Sequence, residues 1–198
     1  MTDDRFEKQL RFIVEIDKMK NIFRKTLIID GTRRENDAEH SWHIAVMAIL
    51  LSEYCKDKSV DVMRAVKMAL VHDLIEIYAG DTFAYDEAGN STKEERERDA
   101  ADRLYALLPQ EQGAELRALW EEFDAEITPD ARYAAAMDHL QPFIHNYMTD
   151  GHTWREGKVT AAQVCKRMEI VRTETPELWG FVERVIEEYT KNGCIIAE

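Results

Sequence analysis

Residues 59–80 read SVDVMRAVKMALVHDLIEIYAG, and this stretch indicates the fold more clearly than any other. Its apolar positions recur three and four residues apart: Val62, Val66, Ala69, Leu70 and Ile77. That spacing is typical of an amphipathic helix that faces a core. Asp73 falls in the same stripe, directly after His72. Because a buried carboxylate needs a cation or strong hydrogen bonds, and imidazole is a common metal ligand, the stretch predicts a metal site.

The size and composition of the chain fit one globular domain with a substantial core. The chain has 198 residues, of which 45% are hydrophobic and 33% charged. We predict a single domain over residues 1–198, with its core over about 5–175 and a C-terminal helix over about 176–191. No apolar run approaches the roughly 20 residues that span a bilayer, and the N-terminus is too acidic for a secretory signal. We therefore expect no membrane partner.

The formal net charge of −13 restricts the partners that the chain can bind. Contacts with nucleic-acid polymers need clustered Lys and Arg, so we expect no such partner. A small anionic substrate is still compatible, if a metal and a few arginines create a local positive site. The cysteines are odd in number and form no CxxC pair: Cys55, Cys165 and Cys194. That pattern indicates reduced thiols in a cytoplasmic protein.

Helical periodicity runs through the chain, which predicts an all-α, single-domain helical bundle. The first helix is expected over about residues 4–20, with Phe6, Leu10, Ile13 and Val14 on its buried side. The second begins after Asn36, which forms a capping box with Glu39, and runs to about Lys56. The third covers about Val60 to Ala79 and ends at Gly80. After a loop over 81–91, further helices are expected at about 92–108, 111–126, 129–149, 160–173 and 176–191.

Two further polar residues lie on predicted helices. His40 falls in the first turn of the second helix, where the helix dipole disfavours the imidazolium ion and leaves a neutral ring for a metal. Asp138 follows three alanines that permit close helix packing, and Pro142 cannot donate the hydrogen bond that the carbonyl of Asp138 would accept. Taken singly, His40 could equally be a hydrogen-bonded structural residue, and Asp138 could cap a helix or pair with an arginine.

Taken together, His40, His72, Asp73 and Asp138 form a mixed nitrogen and oxygen ligand set for one divalent ion. Four protein ligands leave open positions only on an ion with five or six ligands. This favours Mn²⁺, Co²⁺ or Fe²⁺, with Zn²⁺ and Mg²⁺ as alternatives. Glu76 shares a helix face with His72 and Asp73, so we expect it beside the ion.

The order of these residues resembles the H…HD…D pattern of the HD-domain metal-dependent phosphohydrolases. The flanking segments look like the branch that contains the bacterial 5′-deoxynucleotidases of the YfbR type. These segments are TRRENDAEHS at 32–41, HDLIE at 72–76 with Gly80-Asp81, and DHLQP at 138–142 with Asn146-Tyr147. The resemblance extends over about residues 5–175.

The resemblance implies an all-helical fold, commonly a homodimer, that removes phosphate from 2′-deoxynucleoside 5′-monophosphates. It implies that the four residues named above bind the metal and that Glu76 and Asp81 flank the attacking water and the leaving oxygen. Arg24 is similar to a substrate-contacting arginine of that branch. The branch has Trp after this arginine, whereas this chain has Lys25, and it commonly has Lys where this chain has His139.

The mechanism expected from these residues is metal-assisted hydrolysis of a phosphate monoester. Glu76 would orient the water or accept its proton and Asp81 would act as the acid, or the two roles are exchanged. Arg33, together with Arg24, would neutralise phosphate oxygens, although Arg33 and Arg34 could instead be a solvated pair. The alternatives are hydrolysis of a nucleoside triphosphate, a cyclic nucleotide or a pyrophosphate compound, and a regulatory or binding module stabilised by a structural metal.

Overall fold

The computed structural model describes residues 2–197 and confirms the predicted all-α class. The principal helices are α1 (Thr2–Ile16), α2 (Asp37–Leu50), α3 (Val62–Val71), α6 (Lys93–Tyr105), α7 (Gln110–Ala125), α8 (Pro129–Met148), α10 (Ala161–Glu174) and α11 (Trp179–Lys191). Three shorter ones lie between them: α4 (Glu76–Ala79), α5 (Glu87–Asn90) and α9 (His152–Glu156). Among residues 2–197, no helix has both the length and the apolar character that a membrane crossing needs.

A short antiparallel hairpin lies between α1 and α2, where the sequence predicts no helix. Its strands are β1 (Phe23–Leu27) and β2 (Arg34–Asn36), with Phe23 opposite Asn36. Both strands are too short and too charged for an alternating pattern to stand out. Asn36 ends the hairpin and caps α2 in the predicted capping box, because its side chain accepts from the Glu39 amide while the Glu39 carboxylate accepts from the Asn36 amide.

Three helices, α2, α3 and α8, pack against one another in the centre of the molecule. Ala134, Ala135 and Ala136 of α8 are completely or almost completely buried at this junction, as their small size predicts. The hydroxyl of Tyr133 on the same helix donates to the carbonyl of Ala48 at 2.8 Å. This packing brings the start of α2, the end of α3 and the middle of α8 close together.

The predicted third helix is interrupted at His72 and Asp73. Helix α3 ends at Val71, and residues 72–75 form turns before α4 begins. The tightened backbone bonds run from the Leu74 amide to Val71 and from the Glu76 amide to Asp73. Helix α4 then ends at Gly80, whose φ of 76° suits glycine, as predicted. His72 and Asp73 therefore lie at a helix end, not inside one long helix.

The predicted burial of the first helix is wrong. Phe6, Leu10, Ile13 and Val14 of α1 are all exposed, and Phe12 is the buried aromatic residue of this helix. A stripe of apolar residues marks one face of a helix but does not say what covers that face. The predicted extension of the second helix to Lys56 is also too long, because α2 ends at Leu50 and a short 3-10 turn follows.

Candidate metal centre and substrate pocket

The side chains of His40, His72, Asp73 and Asp138 meet where α2, α3 and α8 converge. His40 Nε2 lies 2.8 Å from Asp138 Oδ1, and His72 Nε2 lies 3.7 Å from the same oxygen. His72 Nε2 is also 3.1 Å from Asp73 Oδ1. The other oxygen, Asp73 Oδ2, is 3.9 Å from His40 Nε2. Both imidazoles and Asp73 are buried, and Asp138 is only partly exposed.

Hydrogen bonds at the Nδ1 atoms orient the imidazole rings of His40 and His72. His72 Nδ1 lies 2.9 Å from the carbonyl oxygen of Ala69, and His40 Nδ1 lies 3.0 Å from Oε1 of Gln141. These oxygens can only accept, so each Nδ1 carries the proton and each Nε2 faces the carboxylates. His72 Nε2 is buried without a hydrogen-bond partner. Two nitrogens and two carboxylates arranged in this way fit a divalent metal ion.

The pKa values in this cluster are set by the opposing charges. Burial by itself would lower the pKa of His72, but Asp73 and Asp138 raise it to about 10. Burial would raise the pKa of Asp138, but the hydrogen bond from His40 and the charge of the nearby imidazoles hold it well below its ordinary value. The carboxylates are therefore ionised at neutral pH. Metal ligation needs a neutral imidazole, so binding of a divalent ion would displace a proton from His72.

A buried polar network, the inner network, lies behind His40 and consists of Glu35, His43, Gln141 and His145. The amide nitrogen of Gln141 donates to Oε1 of Glu35 at 2.6 Å and lies 3.0 Å from Nε2 of His145. His145 in turn donates from Nδ1 to the carbonyl of Leu27 at 2.9 Å. These contacts fix the amide of Gln141 with its oxygen towards His40. The sequence analysis did not predict this role of Gln141 and His145.

Acidic side chains also surround Asp73 on its other side. Glu76 and Asp37 are buried, whereas Asp81 is partly exposed. Burial and the Asp73 charge raise the pKa of Asp37 to about 7, and the same two causes raise that of Glu76 well above its ordinary value. Glu76 and Asp81 thus lie beside the predicted ligands. Sequence reasoning missed Asp37, because an acid in the first turn of a helix ordinarily serves the helix dipole.

The two predicted phosphate-binding arginines lie in different places. Arg24 on β1 lines the pocket in front of the cluster, and its Nη1 lies 2.8 Å from Asp73 Oδ2. Arg33 is exposed and forms a bidentate pair with Glu39, at 2.7 and 2.6 Å. It does not line the pocket. The structure therefore does not bring Arg33 to the pocket, and its guanidinium already has a carboxylate partner.

Two cations that the sequence did not single out line the pocket instead. Lys93 of α6 and Arg167 of α10 both face this space, and Arg167 Nη2 lies 3.7 Å from Asp138 Oδ2. Nδ1 of His139 donates to the carbonyl of Arg167 at 2.7 Å, which ties α10 to α8 beside the cluster. Each cation sits in an ordinary amphipathic helix, so in the sequence it resembles any solvated charge.

Aromatic residues form the outer part of the same pocket. Phe83 and Tyr85 contact each other edge to face, with centroids 5.3 Å apart. Nζ of Lys25 lies 5.5 Å from the centroid of Phe83. The position that carries Trp in the resembled branch is thus beside an aromatic ring contributed by another segment. The loop expected over 81–91 supplies this ring.

Comparison with known proteins identifies the family of the chain. The model of the HD-domain family matches residues 16–179. The chain belongs to the HD-domain family. The 5′-deoxynucleotidase HDDC2 of Danio rerio is 25% identical over 187 residues, which cover 94% of this chain and 90% of that protein. The enzyme of the same name from Xenopus laevis is 29% identical over 187 residues, with coverages of 94% and 89%.

Solved structures give the same result. The crystal structure of a predicted metal-dependent phosphohydrolase from Magnetospirillum magnetotacticum is similar to this chain with a TM-score of 0.93 at 49% identity, covering 98% of this chain and 97% of that one. The predicted membership of the HD-domain metal-dependent phosphohydrolases is thus confirmed. The chain is a hydrolytic enzyme whose family implies a divalent metal ion.

Proposed function

We propose that this enzyme removes the phosphate group from 2′-deoxynucleoside 5′-monophosphates. The observation that carries the proposal is the cluster of His40, His72, Asp73 and Asp138 at the end of a pocket that also contains Lys93 and Arg167. Such a pocket presents a metal-binding set and two positive side chains to one phosphate group. The relatives named 5′-deoxynucleotidase support a nucleotide as the substrate that carries this phosphate.

The four clustered side chains are the proposed metal ligands. Two imidazoles and two carboxylates leave room for water and substrate on an ion of five or six ligands, which favours Mn²⁺, Co²⁺ or Fe²⁺ over tetrahedral Zn²⁺. The two imidazoles make the set less suited to Mg²⁺, which prefers oxygen ligands. When bound, such an ion polarises a phosphoryl oxygen and makes hydroxide accessible at neutral pH. The hydrogen bonds from the Nδ1 atoms of His40 and His72 hold both rings in the orientation that this requires.

Glu76 and Asp81 are the proposed catalytic residues. Burial raises the pKa of Glu76 and of Asp81 above the ordinary value of a carboxyl group, as is typical of carboxyl groups that transfer protons. Glu76 is buried close to Asp73 and is the proposed acceptor of the proton of the attacking water. Asp81 lies beyond Gly80 on the pocket wall and is the proposed donor to the leaving oxygen.

Phosphate and nucleoside would be held by different parts of the pocket. Arg24, Lys93 and Arg167 are the proposed partners of the phosphate oxygens, because they line the pocket and carry positive charge. Phe83 and Lys25 are the proposed contacts of the sugar and base. An aromatic face next to a cation suits the apolar face of a nucleoside.

The test is phosphate release from a panel of nucleotides, with each of Mn²⁺, Co²⁺, Fe²⁺, Mg²⁺ and Zn²⁺ added to metal-free protein. We expect inorganic phosphate from deoxynucleoside monophosphates, at a higher rate than from the corresponding ribonucleotides. Release of diphosphate or triphosphate from a nucleoside triphosphate would favour the alternative substrate class. An ion that leaves only when the protein unfolds, with no turnover of any substrate, would favour the structural-metal alternative.

We also propose that the enzyme is a cytoplasmic homodimer built from one domain per chain. Two exposed apolar stripes support the dimer, and both follow the helical spacing that packing partners use. They are Phe6, Leu10, Ile13 and Val14 on α1, and Trp42, Val46, Ile49 and Leu50 on α2. Light scattering of the native protein and of Ile13→Glu with Trp42→Glu checks this proposal. A monomeric mass for the native protein would contradict it.

A further inference from the structure

A second group of potential metal ligands adjoins the first and shares a residue with it. One oxygen from each of Asp37, Asp73 and Glu76 lies within 4.8 Å of the other two. The same limit holds for the ligand atoms of His40, His72 and Asp73. Asp73 therefore belongs to both groups. In two-metal hydrolases a carboxylate can be shared by two cations about 3.5–4 Å apart in this way.

The carboxylates of the second group are buried and largely without hydrogen-bond partners. Asp37 is 0% exposed, and neither of its carboxylate oxygens has a hydrogen-bond partner. Glu76 is 5% exposed, and its Oε2 also has none. Buried carboxylates without hydrogen bonds need a cation or a proton nearby. Both side chains are directed towards Asp73, so one cation placed among the three would serve all of them.

One positively charged atom already lies at this place. Nη1 of Arg24 is 2.8 Å from Asp73 Oδ2 and 3.5 Å from Asp37 Oδ1. The same atom is 3.9 Å from Asp81 Oδ1. A single nitrogen thus approaches carboxylates from α2, from the turn after α3 and from the segment after α4. Two of these three carboxylates, Asp37 and Asp73, belong to the second group, so the guanidinium brings positive charge to the place where a second cation would bind.

We propose that Arg24 occupies a second cation site formed by Asp37, Asp73 and Glu76. This inference rests on the proposed function, since Asp73 is taken there as a ligand of the first ion. The guanidinium supplies the second positive charge of a two-cation centre, and the native enzyme binds one divalent ion per chain. A phosphate group in the pocket would face the ion on one side and Arg24 on the other, which is the clamp that phosphoryl transfer requires.

The test is the metal content of Arg24 variants. Arg24→Met removes the charge with little change in length and leaves the buried carboxylates of Asp37 and Glu76 without a nearby cation. After equilibration with Mn²⁺ and removal of free metal, we expect about one ion per native chain and about two per Arg24→Met chain. The double variant Arg24→Met with Asp37→Asn should return to about one ion. Arg33→Met, which changes an exposed arginine outside the pocket, should keep the native value.

The outcomes separate this inference from the proposed function. A folded Arg24→Met protein that binds only one Mn²⁺ overturns the second site and leaves the proposed function standing, because no substrate enters the measurement. If Arg24→Met is unfolded without metal, we expect Mn²⁺ to restore its helical circular dichroism with two ions bound, and failure to do so overturns the inference. A native protein that binds no ion contradicts the proposed function itself.

Discussion

The two sides of the cluster of His40, His72, Asp73 and Asp138 are built differently. The inner network behind His40 is closed, since Gln141, His145 and Glu35 are buried and joined by hydrogen bonds of 2.6 to 3.0 Å. The pocket side contains Glu76, whose Oε2 has no partner, and the partly exposed Asp81. The inner network, the closed side, fixes the orientation of His40 through Gln141. The pocket, the open side, contains the carboxyl groups of Glu76 and Asp81. In the proposed function the closed side holds His40 for the metal and the open side transfers protons, and the following predictions test this difference.

The largest expected effect comes from removing a charge that both sides share. Asp73→Asn keeps the shape of the side chain but takes one negative charge from the ligand set. We expect a loss in kcat/KM of roughly a thousandfold, about 4 kcal/mol of transition-state stabilisation, with the helical fold retained. Phosphate release and far-UV circular dichroism measure the two effects. Asp102→Asn, on the exposed surface of α6, is the matched control, and native turnover by Asp73→Asn would refute its role as a ligand.

The next effect tests the closed side alone. Gln141→Leu removes the acceptor of the His40 Nδ1 proton and leaves Glu35 without its amide partner. We expect metal affinity to fall by about 10- to 100-fold, as for other residues that orient a metal-binding histidine. Competition with a metal-binding dye measures the dissociation constant. Gln112→Leu, whose side chain contacts Gln9 far from the cluster, should leave it unchanged.

The open side is tested through substrate affinity. Arg167→Met removes a positive charge from the pocket without touching the inner network. We expect KM for a deoxynucleoside monophosphate to rise roughly tenfold, the value of one charged hydrogen bond, with less change in kcat. Arg33→Met should change KM by less than about twofold, because exposed ion pairs contribute little. Equal effects of the two variants would contradict the assignment.

The smallest effect concerns stability and pH on the closed side. Burial lowers the pKa of His145 to about 4 in the folded protein. In the unfolded chain the same ring is protonated below about pH 6.5. The contribution of His145 to stability is therefore present at neutral pH and is lost as the pH falls from about 6.5 to 4. In urea unfolding of metal-free protein, His145→Gln should lose less stability over this range than the native chain. An unchanged slope would contradict the shift.

The class of the fold and the identity of the clustered residues were predictable from local patterns. Apolar residues at helical spacing indicated the helices, and the capping box of Asn36 and Glu39 marked the start of α2. Asp73 stood out because an acid in an apolar stripe breaks the pattern. Helix ends were less predictable. The interruption after Val71 depends on tertiary packing, which periodicity does not record.

Other site residues could not be predicted from the sequence for a physical reason. Lys93 and Arg167 are ordinary surface charges in their own helices, and only the packing of α6 and α10 turns them into one pocket. In the sequence, Asp37 has the position of an acid that stabilises the start of a helix. Only the tertiary structure places Glu76 next to it. The apolar stripe of α1 is the opposite case. The sequence predicts that this stripe is buried within the chain, but the structure leaves it exposed.

The sequence by itself determined that the chain is helical, that a carboxylate and an imidazole enter an apolar stripe, and that the ordered set resembles the HD-domain phosphohydrolases. These features are local, because helical spacing and residue chemistry are read along the chain. Only the tertiary structure decided that Arg24 lies among the acids, that Gln141 orients His40, and that Arg33 stays outside. Distances between side chains on different elements depend on how the helices pack, and no local pattern specifies that packing.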